Sequence, residues 1–173
     1  LPLFLFAAGH VKNDIPLALA PARHAFPATR FTVTRALGVH PQLVDLAFER
    51  ARAQVEEARD ASKTAVIVVG RGSSDPDANA DFCKVVRLFA EGRGLGWVLP
   101  SFVGIAKPLF EDTAELVARA RPDRIVVVPY FLFGGRLIRK IHEQVSGFRT
   151  RYPWIKTELA PYLGTDDRLF RVM

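Results

Sequence analysis

A single histidine stands where a predicted strand passes into a predicted helix near the start of the chain. His10 follows the small residues Ala7, Ala8 and Gly9, which leave room for a flat ligand to approach the backbone. Neutral imidazole is the commonest side-chain metal ligand and also transfers protons near neutral pH. His10 is therefore a candidate metal ligand and catalytic residue, with Gly9 as a substrate contact, although a loop histidine is more often an ordinary solvated residue.

Two other polar residues follow in the same segment. Lys12 offers a cation that could pair with an anionic substrate. Asp14 directly precedes Ile15 and Pro16, and this order predicts an N-cap followed by a helix with proline in its first turn.

A second loop, Gly70–Asp77, follows a continuously apolar segment and has the composition of an anion-binding loop. Its glycines, Gly72 among them, allow close backbone approach, and Arg71 supplies a cation for a carboxylate or phosphate. Ser73 and Ser74 add hydroxyl and amide groups. The loop is not a P-loop, because the closing Gly-Lys-Ser/Thr is missing, and it does not match Gly-x-Gly-x-x-Gly. A plain Gly/Ser/Asp turn that caps the next helix is the alternative.

A third loop belongs to an internal echo of the sequence. Pro2–His10 and Pro129–Leu137 share a Pro-x-Phe-Leu-Phe-small-small pattern at an offset of 127 residues. Ala36–Leu43 matches Tyr162–Leu169 at an offset of 126 residues. Two matched blocks in the same order predict an internal duplication.

The two copies of this loop differ in their polar residues. Arg136 and Leu137 occupy the places of Gly9 and His10, so a cation appears in the second copy where the candidate ligand is lost. Gly134 and Gly135 precede this cation and are candidate substrate contacts together with it.

Short apolar runs alternate with amphipathic segments along the chain, which predicts βαβ units and an α/β fold with doubly wound parallel sheets. Strands are predicted over Leu3–Ala7, Phe31–Arg35, Thr64–Val69, Gly96–Val103, Arg124–Pro129 and Lys156–Ala160. Helices are predicted over Ile15–His24, Pro41–Ala58, Asn79–Gly92, Pro108–Arg121 and Leu137–Tyr152. Parallel sheets bind ligands at the carboxyl ends of their strands, and all three loops follow predicted strands.

Composition narrows the class of protein. The chain has 173 residues, 49% of them hydrophobic, a net charge of +6 and one cysteine. Cys83 lies in an apolar helical stripe and is expected in the core, and a reducing, cytoplasmic setting is the default. The apolar run at residues 1–8 is too short to span a bilayer. The positive charge suits an anionic partner, but no RNP motif, zinc finger or long basic run points to nucleic acid.

These loops carry a resemblance to a known family. Gly70–Asn79 resembles the His-Gly-Ser-Arg-Asp-Pro signature of class II tetrapyrrole chelatases. Pro2–Pro16 is similar to the second histidine segment of sirohydrochlorin cobaltochelatases, and Pro129–Val145 to the corresponding segment of their second lobe. The resemblance implies two doubly wound lobes around a cleft that binds a polycarboxylate tetrapyrrole of cobalamin or porphyrin biosynthesis. It also implies histidines that deliver Co²⁺, Ni²⁺ or Fe²⁺, with no nucleotide required.

The resemblance assigns residues and also shows a departure. His10 takes the place of one metal-delivering histidine, whereas Arg71 stands where the signature histidine belongs, and a guanidinium cannot ligate a metal. Residues 1–60 then correspond to the end of a first lobe and residues 61–173 to a second, with an upstream segment expected to supply the other histidine. The predicted substrate contacts are Gly9, Lys12, Arg71, Gly72, Ser73, Ser74, Gly134, Gly135 and Arg136, with Arg139 and Lys140 as further cations.

One alternative to an enzyme remains open. The chain could be a noncatalytic domain that binds a tetrapyrrole or a metal through the same loops. His40 follows a predicted strand at the equivalent of Asp166 and could line the rim of the cleft, but a structural role is expected. His24 and His142 are expected on solvated helix faces.

Overall fold

The computed structural model describes residues 2–56 and 61–172. The strands are β1 (Thr64–Gly70), β2 (Trp97–Phe102), β3 (Arg124–Pro129) and β4 (Lys156–Leu159). The helices are α1 (Ile15–Ala25), α2 (Pro41–Glu56), α3 (Pro76–Ala90), α4 (Phe110–Arg119), α5 (Arg136–Arg151) and α6 (Asp167–Val172). A π-helical turn over His10–Asp14 precedes α1, and a 3₁₀ turn over Ala61–Lys63 precedes β1.

The four strands form one parallel sheet in the order β2-β1-β3-β4. The predicted α/β class with a parallel sheet is therefore confirmed. From β1 the chain crosses to β2 on one side, and then returns past β1 to β3 and β4 on the other. Such a reversal opens a crevice at the carboxyl ends of the central strands, where open α/β sheets bind their ligands.

Both faces of the sheet are covered. Side chains of β1 and β3 that point to one face pack against α2, α3 and α6, and those that point to the other face pack against α4 and α5. Because both faces are covered, β1 and β3 are buried along their whole length. This burial explains why their sequences are continuously apolar rather than alternating.

The buried stripe of α3 corrects one prediction. Phe82, Val85, Val86 and Phe89 are buried on this helix, whereas Cys83 is exposed. Successive residues of an α-helix are about 100° apart, so the neighbour of Phe82 turns away from the sheet. Cys83 is therefore not a core residue.

The strands predicted over Leu3–Ala7 and Phe31–Arg35 are wrong. The first segment bonds to residues just after the second, through Leu37 N to Phe4 O at 2.9 Å and Gly38 N to Leu5 O at 2.7 Å. Within the described residues no strand of the sheet flanks either segment, and two bonds do not make a ladder. Leu5 and Phe6 of the first segment, and Leu37 and Val39 just after the second, pack on the core cluster beside α2 and α3 instead.

The second sequence echo has a matching local geometry. Gly38 and Gly164 have φ values of +65° and +67°, which glycine adopts without strain. Two residues later, the side chains of His40 and Asp166 each accept a hydrogen bond from the amide two positions on, at the start of α2 and α6. Helix α6 was not predicted. The duplication itself and the boundary at residue 60 stay predictions, and α2 shares a core with the strands that follow it.

Candidate functional site

A cavity of about 880 Å³ lies at the carboxyl ends of β1, β2 and β3. Four segments line it: the N-terminal segment with the turn that carries His10, the loop after β1, the loop after β2, and the loop that leads from β3 into α5. Gly70 ends β1, Gly72 and Ser73 follow it, and Gly104 comes two residues after β2, so small residues keep space open at these two strand ends. The sequence therefore brings its three candidate loops together at one site.

His10 and Asp14 form a pair at the edge of this cavity. The His10 Nδ1 atom lies 2.5 Å from Asp14 Oδ2, and both side chains are 61% exposed. The π-helical turn places the two residues on the same side, four positions apart. Asp14 stands at the start of α1, but its side chain makes no capping hydrogen bond there. Its predicted role as an N-cap is thus wrong, because the turn at His10 already continues the helix.

The loop after β1 is held in shape by Asn79. The Asn79 Oδ1 atom accepts a hydrogen bond from Ser73 N at 3.0 Å, and its Nδ2 atom donates to Ser73 O at 2.8 Å. Ser73 Oγ accepts from the amide of Asp75 at 3.0 Å. Asp75 in turn caps α3 through the amide of Asp77 at 3.0 Å. The loop is therefore a preorganised turn that caps the next helix, as the alternative interpretation has it, and it also lines the cavity. Binding of an anion by this loop stays a prediction.

Gly72 is required at its position for two reasons. Its φ is +84°, and a Cβ atom added there would stand 2.0 Å from the carbonyl oxygen of Gly104. The loops after β1 and β2 thus touch backbone to backbone. This close approach sets the width of the cavity beside Arg71.

Three cations line the cavity. Arg71 and Arg136 are exposed, and within the described residues their guanidinium groups have no ion-pair or hydrogen-bond partner. Lys140 donates from Nζ to the carbonyl oxygen of Val103 at 3.0 Å. Asp14 is the one acidic residue among the described lining residues. The cavity therefore presents a positive charge with free donors, which favours an anionic ligand.

Lys12 is engaged differently from the prediction that it binds substrate. Its ammonium lies 2.6 Å from Asp75 Oδ2 and 3.0 Å from Asp77 Oδ2. The hydrogen bond from Lys12 lowers the pKa of Asp75, and the same contacts raise the pKa of Lys12. The structure places Lys12 outside the cavity lining, as a tie between the turn that carries His10 and the loop that carries Arg71.

An aromatic wall closes the cavity on the side of the core. Tyr130 stacks on Phe6, with ring centroids 6.0 Å apart, and packs against Phe82 at 6.1 Å. Tyr130 is only 1% exposed, its hydroxyl has no hydrogen-bond partner within the described residues, and burial raises the pKa of its phenol. The Tyr130 side chain therefore remains a neutral phenol.

The structure places the predicted site residues as follows. His10, Gly9, Arg71, Gly72, Ser73, Ser74, Arg136 and Lys140 line the cavity, whereas Lys12, Gly134, Gly135 and Arg139 lie outside its lining. Asn79 was missed, and so was the pairing of Asp14 with His10. The four-residue spacing of histidine and aspartate was a signal for that pairing, because residues four apart meet on one helix face.

The other histidines lie elsewhere. His40 Nδ1 accepts a hydrogen bond from Gln42 N at 3.2 Å, so its structural role at the start of α2 is confirmed. His24 and His142 are exposed on α1 and α5, as expected. Within residues 2–56 and 61–172, no group of three or more His, Cys, Asp or Glu side chains could hold a metal ion. No described helix is both long and apolar enough to cross a membrane.

Comparison with known sequences identifies relatives. The family model described as CbiX matches residues 1–54 and 65–173. A sirohydrochlorin cobaltochelatase of Priestia megaterium is 36% identical over 174 residues, which cover all of this chain and 57% of that protein. A sirohydrochlorin ferrochelatase of Bacillus subtilis (strain 168) is 28% identical over 167 residues, or 95% of this chain and 61% of that protein. The chain thus spans about three-fifths of the length of these relatives.

Solved structures show the same fold. The sirohydrochlorin chelatase SirB from Bacillus subtilis subspecies spizizenii, in complex with cobalt, matches 99% of this chain and 63% of its own, with a TM-score of 0.75 and 25% identity. SirB from Bacillus subtilis with Fe³⁺ matches 99% of this chain and 66% of its own, with a TM-score of 0.86 and 24% identity. At this level of identity the second match concerns the fold alone.

Proposed function

The chain belongs to the CbiX family, and from this premise we propose that it takes part, as an enzyme, in inserting a divalent metal into sirohydrochlorin or a related polycarboxylate tetrapyrrole. The observation that carries the proposal is the His10–Asp14 pair at the edge of a cavity lined with free cations. Cobalt is the favoured metal, because the relative with 36% identity is named a cobaltochelatase and the one with 28% a ferrochelatase.

The cations account for binding of the substrate. A polycarboxylate tetrapyrrole is a flat ring with carboxylates around its rim. Arg71 and Arg136 have donors without protein partners, and guanidinium groups bind carboxylates through paired hydrogen bonds. The Ser73 and Ser74 segment adds polar groups beside Arg71. We infer that these side chains hold the rim of the substrate while its centre faces His10.

The His10–Asp14 pair accounts for the chemistry. When Nδ1 carries the proton and donates to Asp14, the lone pair of Nε2 is free to bind a divalent ion. Insertion of M²⁺ also releases the two pyrrole N–H protons from the macrocycle. An imidazole beside a carboxylate is a suitable acceptor for a proton near neutral pH. His10 therefore holds the metal through Nε2 and, once the ion has passed to the macrocycle, the same atom accepts one of the two protons while the other passes to solvent; Asp14 orients the ring.

The metal is a substrate in this reaction. Within the described residues, His10 has only Asp14 as a neighbouring ligand-type side chain, and no larger cluster exists there. One imidazole and a carboxylate would hold Co²⁺ weakly, which suits an ion that must be passed on to the macrocycle. Arg71 adds no ligand but increases the positive charge that attracts the anionic ring. The lone cysteine fits a reducing cytoplasm as the setting.

Anaerobic titration with sirohydrochlorin, followed by addition of Co²⁺ or Fe²⁺, tests the proposal. The absorbance spectrum separates free, bound and metallated tetrapyrrole. We expect binding and metallation by the full-length protein, faster with Co²⁺. His10→Ala should bind the tetrapyrrole but lose metallation, whereas His24→Ala, an exposed histidine on α1, should behave as wild type. Wild-type binding without metallation would favour the noncatalytic alternative, and full activity of His10→Ala would refute the role of His10.

A further inference from the structure

The loop between β2 and α4 holds an isoleucine in a backbone conformation that such residues rarely adopt. Ile105 has a φ of +66°, and among the described residues Arg121 is the one other non-glycine residue with a positive φ. Branching at Cβ makes this conformation especially unfavourable. The Ala106 amide donates to the Gly104 carbonyl at 2.7 Å, which closes a strained three-residue turn around Ile105.

Neighbouring contacts keep this turn in place. The Val103 amide donates to the Gly70 carbonyl at 2.9 Å, and Lys140 Nζ donates to the Val103 carbonyl at 3.0 Å. Gly72 abuts the Gly104 carbonyl so closely that no side chain fits between the two loops. Strained backbone persists only where surrounding structure over-determines it, and such positions concentrate at ligand sites.

The strain has a consequence for the cavity. It leaves the Ile105 side chain 69% exposed, although both core clusters of the sheet lie close by, and the side chain lines the cavity. Phe133 and Leu137, which are 57% and 36% exposed, line the same cavity. They follow β3, which lies on the opposite side of β1 from β2. The positively charged cavity therefore has an exposed apolar surface as well.

We propose that Ile105 is a substrate-binding residue that packs on the flat face of the tetrapyrrole ring. The inference rests on the proposed function, and it assigns the apolar part of the ligand to a specific side chain. A tetrapyrrole presents an apolar face within an anionic rim, so it needs apolar contacts as well as cations. Arg71 and Arg136 would hold the rim, while Ile105, fixed by its rigid turn, sets the height of the ring above the strand ends.

Binding and stability together test the proposal in the full-length protein. In Ile105→Gly, the positive φ becomes unstrained, so the melting temperature should rise. The same variant should bind sirohydrochlorin roughly tenfold more weakly, since one apolar contact is lost. Ile105→Leu keeps an apolar side chain of similar size and should retain most of the affinity.

Two matched variants serve as controls. Arg121→Gly relieves the other positive φ outside the cavity, so it should raise the melting temperature and leave affinity unchanged. Leu116→Ala removes an apolar side chain that is 59% exposed on α4, outside the cavity lining, and should not change affinity. Wild-type affinity in Ile105→Gly, or loss of both stability and affinity, would overturn this inference alone. No binding of sirohydrochlorin by the wild type would overturn the proposed function and the inference with it.

Discussion

The ammonium of Lys12 lies 2.6 Å from the carboxylate of Asp75, across 63 residues of sequence. This ion pair connects two walls of the cavity, the turn that carries His10 and the loop that carries Arg71. His10 stands two residues before Lys12, and Arg71 four residues before Asp75. A contact outside the cavity lining thus ties the turn of His10, the proposed metal ligand, to the loop of Arg71, the proposed anion-binding cation.

Replacing Lys12 by Met should slow Co²⁺ insertion but change the free energy of unfolding little. The Lys12 side chain is 40% exposed and that of Asp75 15%, and an ion pair that solvent still reaches contributes little to folding. Without it, the turn that carries His10 is less firmly held against the loop that carries Arg71. Rates of Co²⁺ insertion and urea unfolding curves, measured on the same protein, check this expectation.

Lys84, exposed on α3, provides the matched control for that experiment. Lys84→Met removes the same charge without touching Asp75, so both its rate and its stability should equal those of the wild type. Added salt should slow the wild type toward the Lys12→Met rate, because it screens exposed charges. Equal rates for Lys12→Met and wild type would show that the ion pair does not position the site.

Replacing Gly72 by Ala should destabilise the protein by about 2 kcal/mol or more. A Cβ atom at φ +84° is strained, and it would stand 2.0 Å from the Gly104 carbonyl, so the loops after β1 and β2 must move apart. Chemical denaturation measures the change. Tetrapyrrole affinity should fall as well, because the same contact sets the position of Arg71 and of the turn at Ile105.

Gly147, exposed within α5, is the control for this substitution. Nothing lies within 4 Å of a Cβ atom placed there, so Gly147→Ala should stabilise the protein by about 0.5 to 1 kcal/mol through helix propensity. A Gly72→Ala protein as stable as the wild type would contradict the close approach.

The acid stability of the protein should depend on the cluster that docks α6 onto α2. Arg168 donates to Asp166 at 2.8 Å and pairs with Glu49 at 2.8 Å, while Arg50 lies 3.2 Å from Asp166. The hydrogen bonds from Arg168 hold the pKa of Asp166 far below its usual range, and Arg50 adds to the effect. Because the folded pKa is lowered, the stabilisation is present above the unfolded pKa of about 3.9 and is lost as the pH falls toward the folded pKa.

Removal of Arg168 should therefore lower the free energy of unfolding at neutral pH. It should also make that free energy fall less steeply as the pH is lowered. In Arg168→Gln the pKa of Asp166 returns toward its ordinary value, so less stability remains to be lost below pH 4. Urea unfolding between pH 7 and pH 2 measures this difference. Arg171→Gln removes a charge from the same helix and should keep the wild-type pH dependence. Parallel curves for Arg168→Gln and wild type would rule out the proposed linkage.

Much of the fold could be predicted from short stretches of sequence. The apolar runs that became β1 and β3 and the amphipathic period of α2 depend on neighbours within a few residues, so the sequence alone indicates them. The loops after β1 and β3 lie at one edge as predicted, because parallel strands end at the same side of the sheet. The turn that carries His10 lines the same cavity although no strand precedes it within the described residues.

The sequence echo by itself was less informative about structure. Its first block, Pro2–His10, was predicted to contain a strand but forms none, and its copy, Pro129–Leu137, begins at the last residue of β3 and continues as the loop that leads into α5. A strand needs partners as well as propensity. Its second block adopts the same turn in both copies, because a glycine at positive φ followed by a capping side chain is a local structure.

What the sequence by itself determined were the types of most elements and the candidate loops, with the imidazole of His10 and the guanidinium of Arg71 on them. Tertiary structure alone decided that Lys12 pairs with Asp75 and that Ile105 is held over the cavity. It also showed that Asp14 supports His10 rather than capping a helix. The physical reason is the distance along the chain over which each interaction acts. Propensity and periodicity depend on residues a few positions apart. The partner of a charge and the strain of a turn depend on chain segments that only folding brings together.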